Sequence, residues 1–141
     1  MTSPSSTTDA SVSPAGVMNY LSVLLGLIAN RDWEQFESYA LSKPRSFKSI
    51  SKLISESEEF GGMTLLHACV RYDPPIELLV QMIRLYPLAL KGVDCLGRTP
   101  LHVAAGSGAS PEVIKLLTIN YPKACDIQDD DGRTPLHFAC D

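Results

Sequence analysis

Three histidines, four cysteines and a run of aspartates are the residues of this chain whose chemistry suits metal binding or catalysis. His67, His102 and His137 follow one another at intervals of 35 residues, each with a threonine three positions before it. Zinc requires its ligands within about 2.0–2.3 Å of one ion, whereas equivalent positions on neighbouring packed helices are about 8–10 Å apart. Histidines related by a period therefore do not converge on a metal, and they point to a structural task repeated once per period. Cys69, Cys95, Cys125 and Cys140 lack the close pairing of a zinc site. Cys69 and Cys140 fall at or beside small-residue positions and suit burial as small hydrophobes. Cys95 has no His or Lys beside it in sequence to lower its pKa. Asp129-Asp130-Asp131-Gly132 lacks the spread of oxygens and the closing Glu of a calcium loop, so it reads as a solvated turn. No phosphate-binding Gly-rich loop, nucleophile elbow or His-Glu-x-x-His pair is present. The chain is expected to be no enzyme, with no catalytic, cofactor-binding or metal-binding residue.

The elements that must hold these histidines repeat with them. Gly62-Met63-Thr64-Leu65-Leu66-His67-Ala68-Cys69 recurs as Gly97-Arg98-Thr99-Pro100-Leu101-His102-Val103-Ala104, and again as Gly132-Arg133-Thr134-Pro135-Leu136-His137-Phe138-Ala139. Glu77 and Glu112 each follow their histidine by 10 residues, and Tyr86-Pro87 and Tyr121-Pro122 close the pattern. A fixed period in this range marks a repeat architecture, in which each unit buries its apolar face against the next. Projected upstream, the spacing sets Glu34 10 residues after Leu24 and 10 before Pro44, with Gly26 where Cys69 and Ala104 stand. Units are expected at about 17–61, 62–96 and 97–131, with a partial one at 132–141. Small residues at Gly26, Cys69, Ala104 and Ala139 suit the close approach of stacked helices. Asp141 falls inside the first helix of the last unit, so the chain is expected to be incomplete or its gene imperfectly delineated.

These motifs resemble the ankyrin-repeat family, whose hallmark is Thr-Pro-Leu-His-x-Ala in a unit of about 33 residues. Gly97 to Ala105 and Gly132 to Ala139 follow that pattern closely; Leu65 departs from it, and Tyr-Pro replaces the usual Gly-Ala turn. The resemblance implies an all-α solenoid of stacked helix-turn-helix units with short β-hairpin fingers, a degenerate N-terminal capping repeat and a truncated last repeat. It also implies that each imidazole links its helix to an adjacent turn by hydrogen bonds.

Local chemistry agrees. Thr can cap a helix through its hydroxyl, and Pro costs nothing at the first helical position because its missing N–H has no partner there. Asp73-Pro74-Pro75 and the glycines Gly106 and Gly108 stop the first helices. Ile76, Leu79 and Ile83, then Val113, Ile114, Leu116 and Leu117, give the second helices an apolar stripe. Pro44 to Gly62 spans 18 positions against 10 for Pro87 to Gly97. That insertion carries Phe47, Ile50, Leu53 and Ile54 at helical spacing, which predicts a small amphipathic helix packed on the stack.

Composition sets the remaining bounds. Residues 1–16 are mostly Ser, Thr, Pro and Ala and are expected to form a disordered leader. Residues 1 to 61 carry five Lys/Arg against seven Asp/Glu, and residues 62 to 141 seven against nine, so no basic face for nucleic acid is visible. The apolar run Val17 to Ala29 is 13 residues long, short of the about 20 that span a bilayer, and no basic residue precedes it. It reads as a buried helix, so neither membrane insertion nor a secretory signal is expected. Reduced cysteines without a glycosylation sequon suit the cytoplasm, with the nucleus as a second possibility.

A protein-interaction scaffold is the expected function, because stacked repeats build a long concave surface whose exposed positions vary without touching the core. The alternative is a regulatory or substrate-recruiting arm of a larger enzyme or channel. The partner-binding residues are expected among those that the repeat leaves without a structural duty: Arg71, Val93, Cys95, Leu96, Arg98, Gln128, Asp130, Asp131 and Arg133. Apolar Val93 and Leu96 beside an acidic tip predict a partner segment with an apolar anchor next to basic residues. Arg98 and Arg133 either meet that partner or pair with Asp94 and Asp129.

Overall fold

A computed structural model describes residues 14–56 and 61–140. The expected leader lies outside the described residues up to position 13, and helix α1 (Pro14–Ala29) begins three residues before the expected boundary at 17. Helix α1 buries Leu21, Leu24 and Ile28, a spacing that places them on one face. Arg31 then turns the chain in the left-handed region (φ 56°), and Asp32 caps α2 (Trp33–Phe36) by accepting the Gln35 N–H at 3.3 Å. Helix α2 widens into a π turn, Glu37–Leu41.

The insertion forms α3 (Pro44–Glu56). Phe47, Ile50 and Ile54 are buried, whereas Leu53 lies on the open side. The helix rests against α5 and the π turn, as its apolar stripe led one to expect.

Two complete helix pairs follow, α4 (Leu65–Val70) with α5 (Ile76–Leu85), and α6 (Pro100–Gly106) with α7 (Pro111–Asn120). Short 3-10 turns, Pro87–Lys91 and Pro122–Asp126, come after α5 and α7, and α8 (Pro135–Cys140) opens the last unit. The first helices α1, α4, α6 and α8 pack in one row, while the π turn, α5 and α7 form the second. One apolar core runs from Leu21 to Ala124 through both rows. Cys69 and Ala104 are fully buried where the first helices meet.

Two expectations need correction. Gly26 is exposed, with nothing within 4 Å of the place a Cβ would take, so it does not belong to the close-packed small positions; the face of α1 that packs is the one carrying Leu24. The fingers are tight turns, and no strand is found among the described residues. Two main-chain hydrogen bonds close each turn before the chain enters a 3-10 turn on one side and a threonine cap on the other, so no ladder has room to grow.

Candidate functional site

The histidines organise the surface that the fingers present. Thr64 caps α4 by accepting the His67 N–H at 3.2 Å, and Thr64 N–H donates back to His67 Nδ1 at 3.1 Å. Thr99 and His102 repeat this at 3.3 and 3.1 Å. A capping box of this kind satisfies two orphan donors of a helix N-terminus. With Nδ1 accepting, the remaining ring proton sits on Nε2, and it donates to the Arg98 carbonyl at 2.8 Å for His67 and to the Arg133 carbonyl at 2.9 Å for His102. Each buried histidine therefore fastens its own helix to the finger of the following unit. Both nitrogens of each ring are committed, which leaves no lone pair for a metal. Burial disfavours the charged His67 imidazole and lowers its pKa, although the Arg98 carbonyl acts in the opposite direction.

An aspartate then shapes each finger. The Asp94 N–H donates to the Arg98 carbonyl at 3.0 Å, and the Gly97 N–H to the Asp94 carbonyl at 2.9 Å. Asp94 Oδ1 accepts the N–H groups of Leu96 and Arg98 at 3.0 and 2.9 Å. Asp129 builds the second finger likewise, accepting the N–H groups of Asp131 and Arg133 at 2.9 and 2.8 Å. The fingers are stacked: the Asp130 N–H donates to the Leu96 carbonyl at 2.9 Å. Gly62 and Gly97 hold φ near 81° and 77°, and a side chain on Gly62 would strike the Val93 carbonyl of the next finger. Glycine is required there by conformation and by space.

Burial pushes the Asp94 carboxyl up, but the Arg98 and Leu96 N–H groups and the Arg98 guanidinium outweigh it and hold the pKa below the ordinary carboxylate value. The Arg133 N–H does most to hold Asp129 low as well. Asp129 is buried, which corrects its reading as part of a solvated turn; Asp130 and Asp131 are the solvated ones. Its equivalence to Asp94 one period earlier was the signal that separated it from its neighbours.

The residues singled out from sequence do not all share one status. Val93 and Leu96 are exposed, at 43% and 50%, as are Cys95, Gln128, Asp130, Asp131 and Arg71. Arg98 is only half exposed and its Nε contacts Asp94 Oδ2 at 2.9 Å. Arg133 lies 3.9 Å from Asp129 and 3.5 Å from Asp131, with its guanidinium 5.1 Å above the Phe138 ring. Both arginines thus brace the fingers. Lys115 stands exposed on α7 in the other row. Cys69 is buried, which pushes its thiol away from the reactive thiolate. No helix among the described residues is long and apolar enough to cross a membrane.

Paired helices in two rows, a Thr-x-x-His cap at Thr64, Thr99 and Thr134 and turn fingers built on aspartate define a repeat protein of the kind that binds other proteins. The family model described as ankyrin repeats (3 copies) matches residues 66–141, and the chain belongs to the ankyrin-repeat family. No curated protein matches it.

Proposed function

We propose that this chain is an interaction module that holds another protein along its row of fingers, on the concave side of the array. The partner segment sets an apolar anchor beside basic residues. The observation that supports this reading is the division of labour within the fingers. Backbone hydrogen bonds and the carboxylates of Asp94 and Asp129 hold the turns, while Val93 and Leu96 stay open on one finger and Asp130 and Asp131 on the next. The pairing of Arg98 with Asp94 cancels the cation nearest the apolar pair. The four carboxylates of Asp94, Asp129, Asp130 and Asp131 against the two guanidiniums of Arg98 and Arg133 leave the row acidic, which favours a basic partner. A reducing compartment, cytoplasmic or nuclear, suits a chain whose Cys95, Cys125 and Cys140 are exposed free thiols.

Binding of a partner recovered by affinity capture and measured by calorimetry tests the reading. Leu96→Ala is expected to weaken binding by more than about 1 kcal/mol, since a few central residues dominate an interface. Arg98→Ala is expected to do the same by loosening the finger. Asp130→Asn is expected to reduce the salt dependence, and Lys115→Ala to change nothing. Loss of binding in Lys115→Ala with normal binding in Leu96→Ala would place the interface on the helices instead.

A further inference from the structure

Helix α3 and the residue before it carry the densest cluster of cations in the chain. Lys43, Arg45, Lys48 and Lys52 stand within ten positions, and no Asp or Glu falls between Glu37 and Glu56. Elsewhere eight Lys/Arg face all 16 Asp/Glu, so the charge balance over each half of the chain conceals this local excess. Burial of Phe47, Ile50 and Ile54 fixes α3 against the array and turns its basic side outward, where the four cations and Leu53 are exposed. Arg45, Lys48 and Lys52, spaced i, i+3 and i+7, form one stripe about 10 Å long. Among the described residues no carboxylate pairs with any of the four; the ion pairs there belong to the fingers.

The arrangement works against the helix that carries it. A helix favours anions at its N-terminal end and cations at its C-terminal end, yet α3 has Arg45 and no acidic residue in its first turn, and Glu56 in its last. Unpaired cations set against the macrodipole are a local inconsistency of the kind that accompanies a functional surface.

We propose that the outer face of α3 docks an acidic peptide segment of a partner protein, whose carboxylates meet Arg45, Lys48 and Lys52 while an apolar side chain covers Leu53. Charge complementarity decides the occupant. A duplex nucleic acid bears a charge about every 1.7 Å and would run beyond the stripe onto a chain of net charge -4. A membrane surface, negatively charged over its whole plane, would meet the same acidic surround. A short acidic segment ends where the cations end. This face is separate from the finger row and opposite to it in sign, so the inference does not rest on the finger reading.

Fluorescence anisotropy of the full chain with a labelled peptide of Glu residues around a central Leu tests the proposal. Saturable binding is expected, weakening as salt rises. Lys48→Glu and Lys52→Glu are each expected to weaken it about tenfold, and Lys115→Glu, on α7, to leave it unchanged. Arg45→Glu separates docking from folding: it is expected to abolish binding while raising the urea midpoint through the helix dipole. Leu96→Ala and Asp130→Asn are expected to leave peptide binding intact, so this inference and the finger reading fail separately. Absence of saturable binding would overturn the proposal and return the cations to solvated surface charge, and equal binding by Lys48→Glu would overturn it too. Tighter binding of single-stranded DNA or of phosphatidylserine vesicles than of the peptide, weakened by the same variants, would overturn it by assigning the face to a nucleic acid or a membrane.

Discussion

His102 and His137 carry nearly the same local sequence, and they end in different states. Both accept a threonine N–H on Nδ1, at 3.1 Å in Thr99–His102 and 3.0 Å in Thr134–His137. Only His102 goes further: it is fully buried, its Nε2 reaches the Arg133 carbonyl, and the Phe138 ring meets it edge-on at 5.3 Å. His137 is exposed and its Nε2 reaches no carbonyl among the described residues. The cap is local chemistry, set by Thr and His three positions apart. Burial and the bond to the next finger belong to the neighbouring unit, so the same motif contributes very different amounts of stability along one array.

The largest expected difference comes from deleting the imidazole. His102→Ala leaves the Thr99 N–H unsatisfied, leaves the Arg133 carbonyl with the Asp129 N–H alone and opens a cavity, and is expected to cost about 2–4 kcal/mol. His137→Ala is expected to cost under about 0.5 kcal/mol, as surface changes do. Urea denaturation of the two variants gives both values, and equal costs would break the comparison. Next in size is the small-residue position. Ala104→Leu is expected to destabilise by about 1–3 kcal/mol through overpacking, whereas Ala139→Leu is expected to change stability little; melting temperatures decide between them.

Acid probes the same bonds with a smaller effect. The folded His67 pKa lies below the ordinary 6.5, so the unfolded chain takes up that proton more readily. Stability is expected to hold above pH 6.5 and to decline as pH falls towards the folded value. Asp94 and Asp129 are also lowered, from 3.8, so a second decline in the same direction is expected below that pH. Urea midpoints followed across pH check both steps, and His67→Ala is expected to flatten the first. Smallest is Ser51→Ala. Ser51 is buried and its hydroxyl has no hydrogen-bond partner among the described residues, so removal is expected to be neutral or slightly stabilising in the same urea assay.

Much of this was legible in the sequence because a repeat states its contacts several times. The period of His67 and His102 gave the units, and the threonine that heads each first helix, followed by Pro at Thr99 and Thr134, gave the caps. The insertion helix was visible in the spacing of Phe47, Ile50 and Ile54. What lay hidden depends on neighbours in space. The Asp129 carboxylate folds back on backbone N–H groups two and four residues ahead, which composition reads as a solvated acidic run. Gly26 matched the period in number, yet the structure leaves it on an open surface, because a degenerate unit keeps its length longer than its contacts. Arg98 was open to two readings, and the ion pair with Asp94 engages its guanidinium within the finger without removing it from the surface.

Site-specific photo-crosslinking tests the central claim most directly, with the reactive side chain placed at position 96 on the finger or at position 115 on α7 in the intact chain inside cells. Adducts with a partner protein are expected from position 96, reduced when Asp130 and Asp131 are changed to Asn, and absent from position 115. Adducts from position 115 with none from position 96 would contradict the finger row as the binding surface.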